Sequence, residues 1–160
     1  TFLVRGCVED VLEHLTPLID ARQPVVSLKF PEPGGLLQGD RFYWDQIFTN
    51  LIENALKENQ RPGLRLTISG EWQEHECVLK VADDGIGIPA IDVPFVFKRF
   101  FRCAKHHSQE TRGTGLGLSI VKRAVEAHGG TIEVHSTPTV ETVFTMRVPL
   151  QRAPQAQPLI

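Results

Sequence analysis

Apolar positions along the chain recur at two periods, one helical and one alternating. Val8, Val11, Leu12, Leu15 and Ile19 follow one another at three- and four-residue steps, which predicts an amphipathic helix over residues 8–19. A short strand is expected over 25–30, after Pro24, with a turn forced behind it by Pro31, Pro33, Gly34 and Gly35. Asp40 stands where a side-chain oxygen caps a helix. Ile47, Phe48, Leu51, Ile52, Ala55 and Leu56 then carry one apolar face to the neighbourhood of Lys57. Strands follow over 64–69 and 77–82, the second running into Asp83-Asp84-Gly85-Ile86-Gly87-Ile88-Pro89. A Phe-rich element over 94–101 and an unpatterned polar segment over 103–112 come next. Gly113-Thr114-Gly115-Leu116-Gly117-Leu118 opens a helix that Gly129-Gly130 stops after His128, and strands over 131–135 and 143–148 form a closing hairpin. Helices and strands interleave without a repeat. The expected class is α/β: a two-layer sandwich with helices on one face of a mixed sheet.

Composition narrows this picture. With 160 residues and 41% hydrophobic content, the chain supports one compact core, expected over residues 1–150, with the Pro- and Gln-containing stretch 151–160 as a flexible tail. Lys and Arg number 17 against 19 Asp and Glu, a net charge of −2 that argues against nucleic acid or an anionic membrane as a partner bound by bulk charge. The sequence holds no apolar run of the ~18 residues a membrane span needs, so this domain itself is expected to make no membrane contact. It starts at Thr1, as expected of a piece of a longer protein whose upstream part is free to carry an anchor. Cys7, Cys77 and Cys103 have neither pairing nor metal-type spacing and read as reduced thiols of a cytoplasmic protein.

Three segments carry candidate chemistry. Gln46, Asn50, Asn54 and Lys57 fall on one stripe of the helix that begins after Asp40, opposite its apolar face, at ~100° per residue. Such a stripe is compatible with a solvated surface. Asn, however, is a poor helix former, and two of them one turn apart also suit amide oxygens held for a cation or ligand. The segment from Asp83 is either an ordinary turn or a carboxylate at a strand end that accepts a hydrogen bond from a ligand amino group, with Gly85 and Gly87 permitting close approach. Gly113, Gly115 and Gly117, at alternate positions before a helix, free backbone amides for a phosphate. The pattern is neither a Walker loop, since no Gly-Lys-Ser/Thr follows, nor a Rossmann fingerprint.

In this order the segments resemble the ATP-binding catalytic domain of sensor histidine kinases, in the GHKL superfamily. The likeness rests on Asp45-Gln46-Ile47-Phe48-Thr49-Asn50-Leu51-Ile52-Glu53-Asn54-Ala55-Leu56-Lys57 as the N box and Asp83 to Pro89 as the G1 box. Val96-Phe97-Lys98-Arg99-Phe100-Phe101-Arg102 matches the F box, and Gly113 to Leu118 the G2 box. The resemblance implies a Bergerat-type ATP-binding fold that binds ATP with Mg²⁺. Its γ-phosphoryl group would pass to a histidine on a separate dimerisation/phosphoacceptor domain of the same kinase, in two-component signalling with a response regulator. It further implies that Asn54, with Asn50, offers oxygen to Mg²⁺ and that Lys57 neutralises phosphate charge. Asp83 would read the adenine amino group over a floor shaped by Gly85, Ile86, Gly87 and Ile88. Gly113, Thr114, Gly115, Leu116, Gly117 and Leu118 would wrap the phosphates beneath a lid at 103–112. Arg99 and Arg102 would steady the transferring group or dock a partner.

Relatives in the superfamily that hydrolyse ATP resemble one another in placing a Glu one helical turn before the metal-binding Asn. Here that position is Asn50, which cannot take a proton from water, while Glu53 points about 80–100° away around the helix. Transfer is therefore expected over hydrolysis. His14-Leu15-Thr16-Pro17-Leu18 lacks the spacing and the acid of the family's phosphoacceptor box, so His14 is expected to be an ordinary helix residue and the chain not to phosphorylate itself. Departures from the pattern are Glu58 where many relatives place an aromatic against the base, Asp84 for a frequent Asn, and a hairpin turn at 136–142 without glycines. A rival reading is a regulatory module of the same fold that senses nucleotide without transferring phosphate.

Overall fold

A computed structural model describes residues 1–59, 61–102 and 117–151. In chain order the elements are β1 (Phe2–Leu3), α1 (Val4–His14), α2 (Thr16–Arg22), β2 (Val25–Lys29), β3 (Leu36–Leu37) and α3 (Arg41–Glu58). They continue with β4 (Arg65–Trp72), β5 (Glu76–Asp83), a single 3-10 turn (Val93–Phe95), α4 (Gly117–Ala127), β6 (Thr131–Thr137) and β7 (Glu141–Pro149). Five strands form one mixed sheet in the order β2-β4-β5-β7-β6, with β2 parallel to β4 and every other pair antiparallel, and β1 and β3 form a separate two-residue pair. The α/β class expected from the pattern is the one observed.

Alternation in the strands decides which face is covered. Leu66 and Ile68 of β4, Leu79 and Val81 of β5, and Phe144 and Met146 of β7 are at most 2% exposed and join one hydrophobic core with Val8, Trp44, Phe48 and Leu51 of the helical layer. Helix α3 packs between α1 and α4 and against β5, so the inward face of α3 is the centre of the core. Its N-terminus is capped as expected: the Asp40 carboxylate accepts the Phe42 N–H at 2.9 Å. The far end of α4 stops where Gly129, at φ +74°, and Gly130 return their N–H groups to the carbonyls of Glu126 and Val125.

Two expectations are corrected. The predicted single helix over 8–19 begins earlier, at Val4, and breaks at Leu15 into α1 and α2. Pro17 lies in the first turn of α2, where its missing N–H is no loss, and the Thr16 hydroxyl caps the outgoing helix by donating to the Glu13 carbonyl at 2.6 Å. Strand β4 starts at Arg65 and runs past 69 to Trp72, and β5 spans Glu76–Asp83 rather than 77–82, because Gln73 N–H donates to the Glu76 carbonyl and closes them into a hairpin. Residues 103–112, with Gly113, Thr114, Gly115 and Leu116, lie outside the described residues, as do 152–160. Among the described residues no helix is long and apolar enough to cross a membrane.

Candidate functional site

The strand register sets a row of polar side chains at one end of the sheet. Asp83 pairs across the sheet with Thr142 on β7, and Thr142 with Ser136 on β6. All three lie on the helix-covered face, because Asp83 shares its alternation with Cys77, Leu79 and Val81. Asp83 is 8% exposed, and Ser136 Oγ and Thr142 Oγ1 are 2.8 Å apart.

After Asp83 the chain forms a loop pinned at Gly85, Ile86 and Ile88. The Asp83 carboxylate accepts the Gly85 N–H at 3.0 Å, Asn59 Oδ1 accepts Ile86 N–H at 2.7 Å, and Ser136 Oγ accepts Ile88 N–H at 2.8 Å. The Ile86 carbonyl accepts Thr139 N–H from the β6–β7 turn. That turn does without glycine because Thr139 itself takes φ +64°. Both loop glycines are required by space: a Cβ on Gly85 would stand 1.9 Å from Asn59 Oδ1, and one on Gly87, at φ +77°, would stand 2.6 Å from Pro138 Cα. Ile86 is left 44% exposed at the loop surface, while Ile88 is buried.

Burial pushes the Asp83 pKa up to about 6. The Gly85 N–H holds it down, the Asp84 carboxylate pushes it further up, Asn59 favours the charged form through a side-chain hydrogen bond, and Glu141 opposes it. A carboxylate kept here without its full complement of donors can accept one more from a ligand. Asp84 itself is exposed and turned away, accepting Arg65 N–H at 2.7 Å.

Helix α3 carries the amide stripe, and Asn59 just after its last turn reaches the 83–88 loop. Asn50 and Asn54 are half-buried and Lys57 is exposed, on the side opposite Ile47, Phe48, Leu51 and Ile52. Asn50 faces the start of α4, where a Cβ on Gly117 would come 3.3 Å from its Oδ1. Glu53 does not join the asparagines; it pairs with Lys57 at 3.6 Å along the same helix. Two neutral amides supply few of the six oxygens a magnesium ion takes, and among the described residues no cluster of three acidic, His or Cys side chains is built for a metal. The donor set fits an ion that draws most of its shell from phosphate and water.

The Phe-rich segment packs Phe97 on Phe144 and Phe95 on Phe101, and leaves Phe100 66% exposed with Arg99 over its ring. Arg102 is half-buried at the end of this segment. Gly117 and Leu118 open α4, and the rest of the glycine-rich motif is outside the described residues. His14 caps nothing catalytic: it sits in the last turn of α1 with Nδ1 2.7 Å from the Asp10 carbonyl.

Three residues of the site escape a reading of the sequence: Asn59, Ser136 and Thr142. Each becomes visible only through pairings 27, 48 and 6 residues apart in sequence. An Asn directly after a helix is an ordinary end signal, and Ser and Thr in a strand are unremarked.

Residues 39–152 match the family of histidine kinase-, DNA gyrase B-, and HSP90-like ATPases. The chain is 36% identical over 156 residues to the sensor protein GacS of Pseudomonas syringae pv. syringae, covering 95% of this chain and 17% of that protein. It is 36% identical over 148 residues to the signal transduction histidine-protein kinase AfsQ2 of Streptomyces coelicolor, covering 92% and 27%. The solved structure of the mycobacterial sensor histidine kinase MprB superposes with a TM-score of 0.77 at 27% identity, covering 91% of this chain and 95% of that one. The chain thus spans between 17% and 27% of the length of these curated relatives.

Proposed function

The chain belongs to the histidine kinase-, DNA gyrase B-, and HSP90-like ATPase family, as a sensor-histidine-kinase catalytic domain within it, and from that premise we propose how its residues act. Residues 1–150 serve as one domain that binds ATP with Mg²⁺, with 151–160 as a tail. The γ-phosphoryl group goes to a histidine on a dimerisation/phosphoacceptor domain of the same kinase. That histidine then supplies a response regulator, in the cytoplasm.

The observation that carries this reading is the buried Asp83 carboxylate at the end of β5, in a loop that the residue after α3, Asn59, bonds directly. Asp83 accepts the exocyclic amino group of adenine, beside Thr142, while Gly85, Ile86, Gly87 and Ile88 form the floor. Glu58, in place of an aromatic, leaves the base less tightly held. Asn50 and Asn54 present amide oxygens toward the phosphates, and Lys57 exchanges Glu53 for phosphate oxygen. A bound magnesium ion would supply charge neutralisation between the phosphates. The chain's own share is positioning and the exclusion of a competing base, since the residue one turn before Asn54 is the amide Asn50. Gly113, Thr114, Gly115, Leu116, Gly117 and Leu118 wrap the phosphates, and Arg99 and Arg102 steady the transferring group or the partner domain.

The test is to incubate the chain with MgATP labelled at the γ-position and a separately made dimerisation domain. Acid-labile, base-stable label on that domain, and none on the chain alone, is the expected result. Tight MgATP binding with no transfer under any pairing would favour the nucleotide-sensing module instead.

A further inference from the structure

Asn59 is buried at the site, yet the reading above gives it no contact with nucleotide. It ends α3, is 7% exposed, and uses its amide in three directions. Nδ2 donates to the Ala55 carbonyl at 2.7 Å, one turn back along the helix. Oδ1 accepts the Ile86 N–H, also at 2.7 Å. The same amide lies beside the Asp83 carboxylate, whose bonded partner Gly85 leaves no room for a Cβ against Asn59, and it favours the charged form of that carboxylate. A residue that merely closed a helix would bond within its own turn; this one leaves the helix for a loop 27 residues on.

The chemistry of the amide dictates its orientation. Ala55 and Asp83 offer only acceptors and Ile86 only a donor, so turning the amide over would oppose like groups at all three contacts. The same placement makes glycine necessary at position 85, where a Cβ would collide with the Asn59 side chain. The loop and the helix end therefore fit each other through this one side chain. We propose that Asn59 is a positioning residue for purine recognition: its amide joins the last turn of α3 to the 83–88 loop and holds the Asp83 carboxylate in the orientation that accepts a purine amino group. The inference rests on the nucleotide reading of Asp83. It adds that the reading depends on a residue outside the ligand's reach.

The groups acting on Asp83 divide in two. Burial, Asp84 and Glu141 favour the neutral acid, and the Gly85 N–H and Asn59 favour the carboxylate. Two variants separate positioning from bulk. Asn59→Ser is too short to reach the loop. Asn59→Asp keeps the shape but sets an oxygen against the Ala55 carbonyl and a like charge against Asp83.

Dissociation constants are measured for MgATP and for magnesium inosine triphosphate, whose 6-oxo group cannot donate. The unmutated chain is expected to prefer ATP by roughly tenfold or more, from the loss of one charge-assisted hydrogen bond. In both variants that preference falls by about tenfold, affinity for inosine triphosphate stays within about twofold, and in Asn59→Asp the loss of ATP affinity on acidification moves to higher pH. Folded variants that keep the full preference overturn the role of Asn59. An unmutated chain with no preference overturns the purine reading of Asp83 itself, and the two failures are thereby distinct. Should the variants not melt cooperatively, the unmutated chain still decides. Its Asn59 side-chain amide resonances must shift as Asp83 titrates and must not do so in Asp83→Asn; a pH-independent amide in the unmutated chain refutes the proposal.

Discussion

Replacing Asp83 with Asn separates what the site costs the fold from what it does for a ligand. In the folded chain burial, against the restraint of the Gly85 N–H, raises this carboxyl from its ordinary 3.8 to about 6. The native state therefore holds a proton between pH ~4 and pH ~6 that the unfolded chain has released. Stability is highest below the unfolded value and declines as pH rises through the folded one. At ~1.36 kcal/mol per pH unit the charged carboxylate costs the fold roughly 3 kcal/mol at neutral pH. Asn carries no charge, but its amide group meets the Asn59 amide, so part of the gain is lost again. A net gain of ~2 kcal/mol is expected, raising Tm by roughly 4–8 °C in a chain of this size. Nucleotide works against that order. MgATP at about one hundred times the unmutated chain's Kd adds ~2.7 kcal/mol to that chain and only ~0.4–1.4 kcal/mol to a variant that binds roughly ten- to a hundredfold more weakly. Calorimetric melts of both proteins at pH 4.5, 6 and 7.5, with and without MgATP, test this. The variant should melt higher without nucleotide at pH 7.5, and the difference should fade toward pH 4.5. A difference independent of pH, or an equal rise of both proteins with MgATP, would refute the reasoning.

Gly87→Ala and Gly63→Ala both place a side chain at positive φ, +77° and +88°, but only at Gly87 does the new Cβ meet backbone, 2.6 Å from Pro138 Cα. Gly63→Ala is expected to lose ~1 kcal/mol from strain and keep MgATP affinity, while Gly87→Ala loses more stability and binds at least tenfold more weakly, as read by denaturant melts and titration calorimetry. Glu53→Gln frees Lys57 from an exposed ion pair of ~0.3–0.5 kcal/mol, so MgATP affinity at low salt rises by up to about twofold with Tm unchanged, whereas Lys57→Ala lowers MgATP affinity and leaves adenosine affinity alone. The Cys77 thiol is pushed up to about 12 by burial, and Cys7 is driven further still by burial and the hydrogen bond to Asp45. Neither should react with an aromatic disulfide reagent at pH 8 until the chain unfolds, and labelling of either in the native protein within minutes would contradict the packing.

How far the sequence could be read follows from the range of each interaction. Helix α3 was fully legible, because the Asp40 cap, the apolar face from Ile47 to Leu56 and the opposed Asn50, Asn54 and Lys57 all lie within one element. The break at Leu15 was not, since Leu15 and Ile19 keep the helical period across it and Pro17 is tolerated in a first turn as readily as it ends a helix. The β1–β3 pair has two residues per strand, too few to show alternation. Asp83 and its glycines stood out as a motif, but the partners that hold them did not. Asn59, Ser136 and Thr142 acquire their roles from strand register and from the approach of a helix end, neither of which leaves a local mark.

The same geometry would let one helix serve both ends of a nucleotide under the proposed reading. Ile47, Phe48, Leu51, Ile52, Ala55 and Leu56 are at most 4% exposed, so the core fixes α3 from its inner side and leaves its outer stripe no freedom to shift. From Asn50, close to the start of α4, to Asn59, bonded to the 83–88 loop, the helix advances about 14 Å at ~1.5 Å per residue. That distance suits a ligand with a base at one end and phosphates at the other. Asn50 and Asn54, the two amides proposed for the phosphates, are half-buried, while the Asn59 amide bonds Ala55 and Ile86. A chain selected only for helix stability would place Asn at neither end except as a cap. In the proposed reading the division of labour follows from what surrounds each amide: Asn50 faces the start of α4, where phosphates would lie, and Asn59 is bonded to Ala55 and Ile86 beside the carboxylate it would aim.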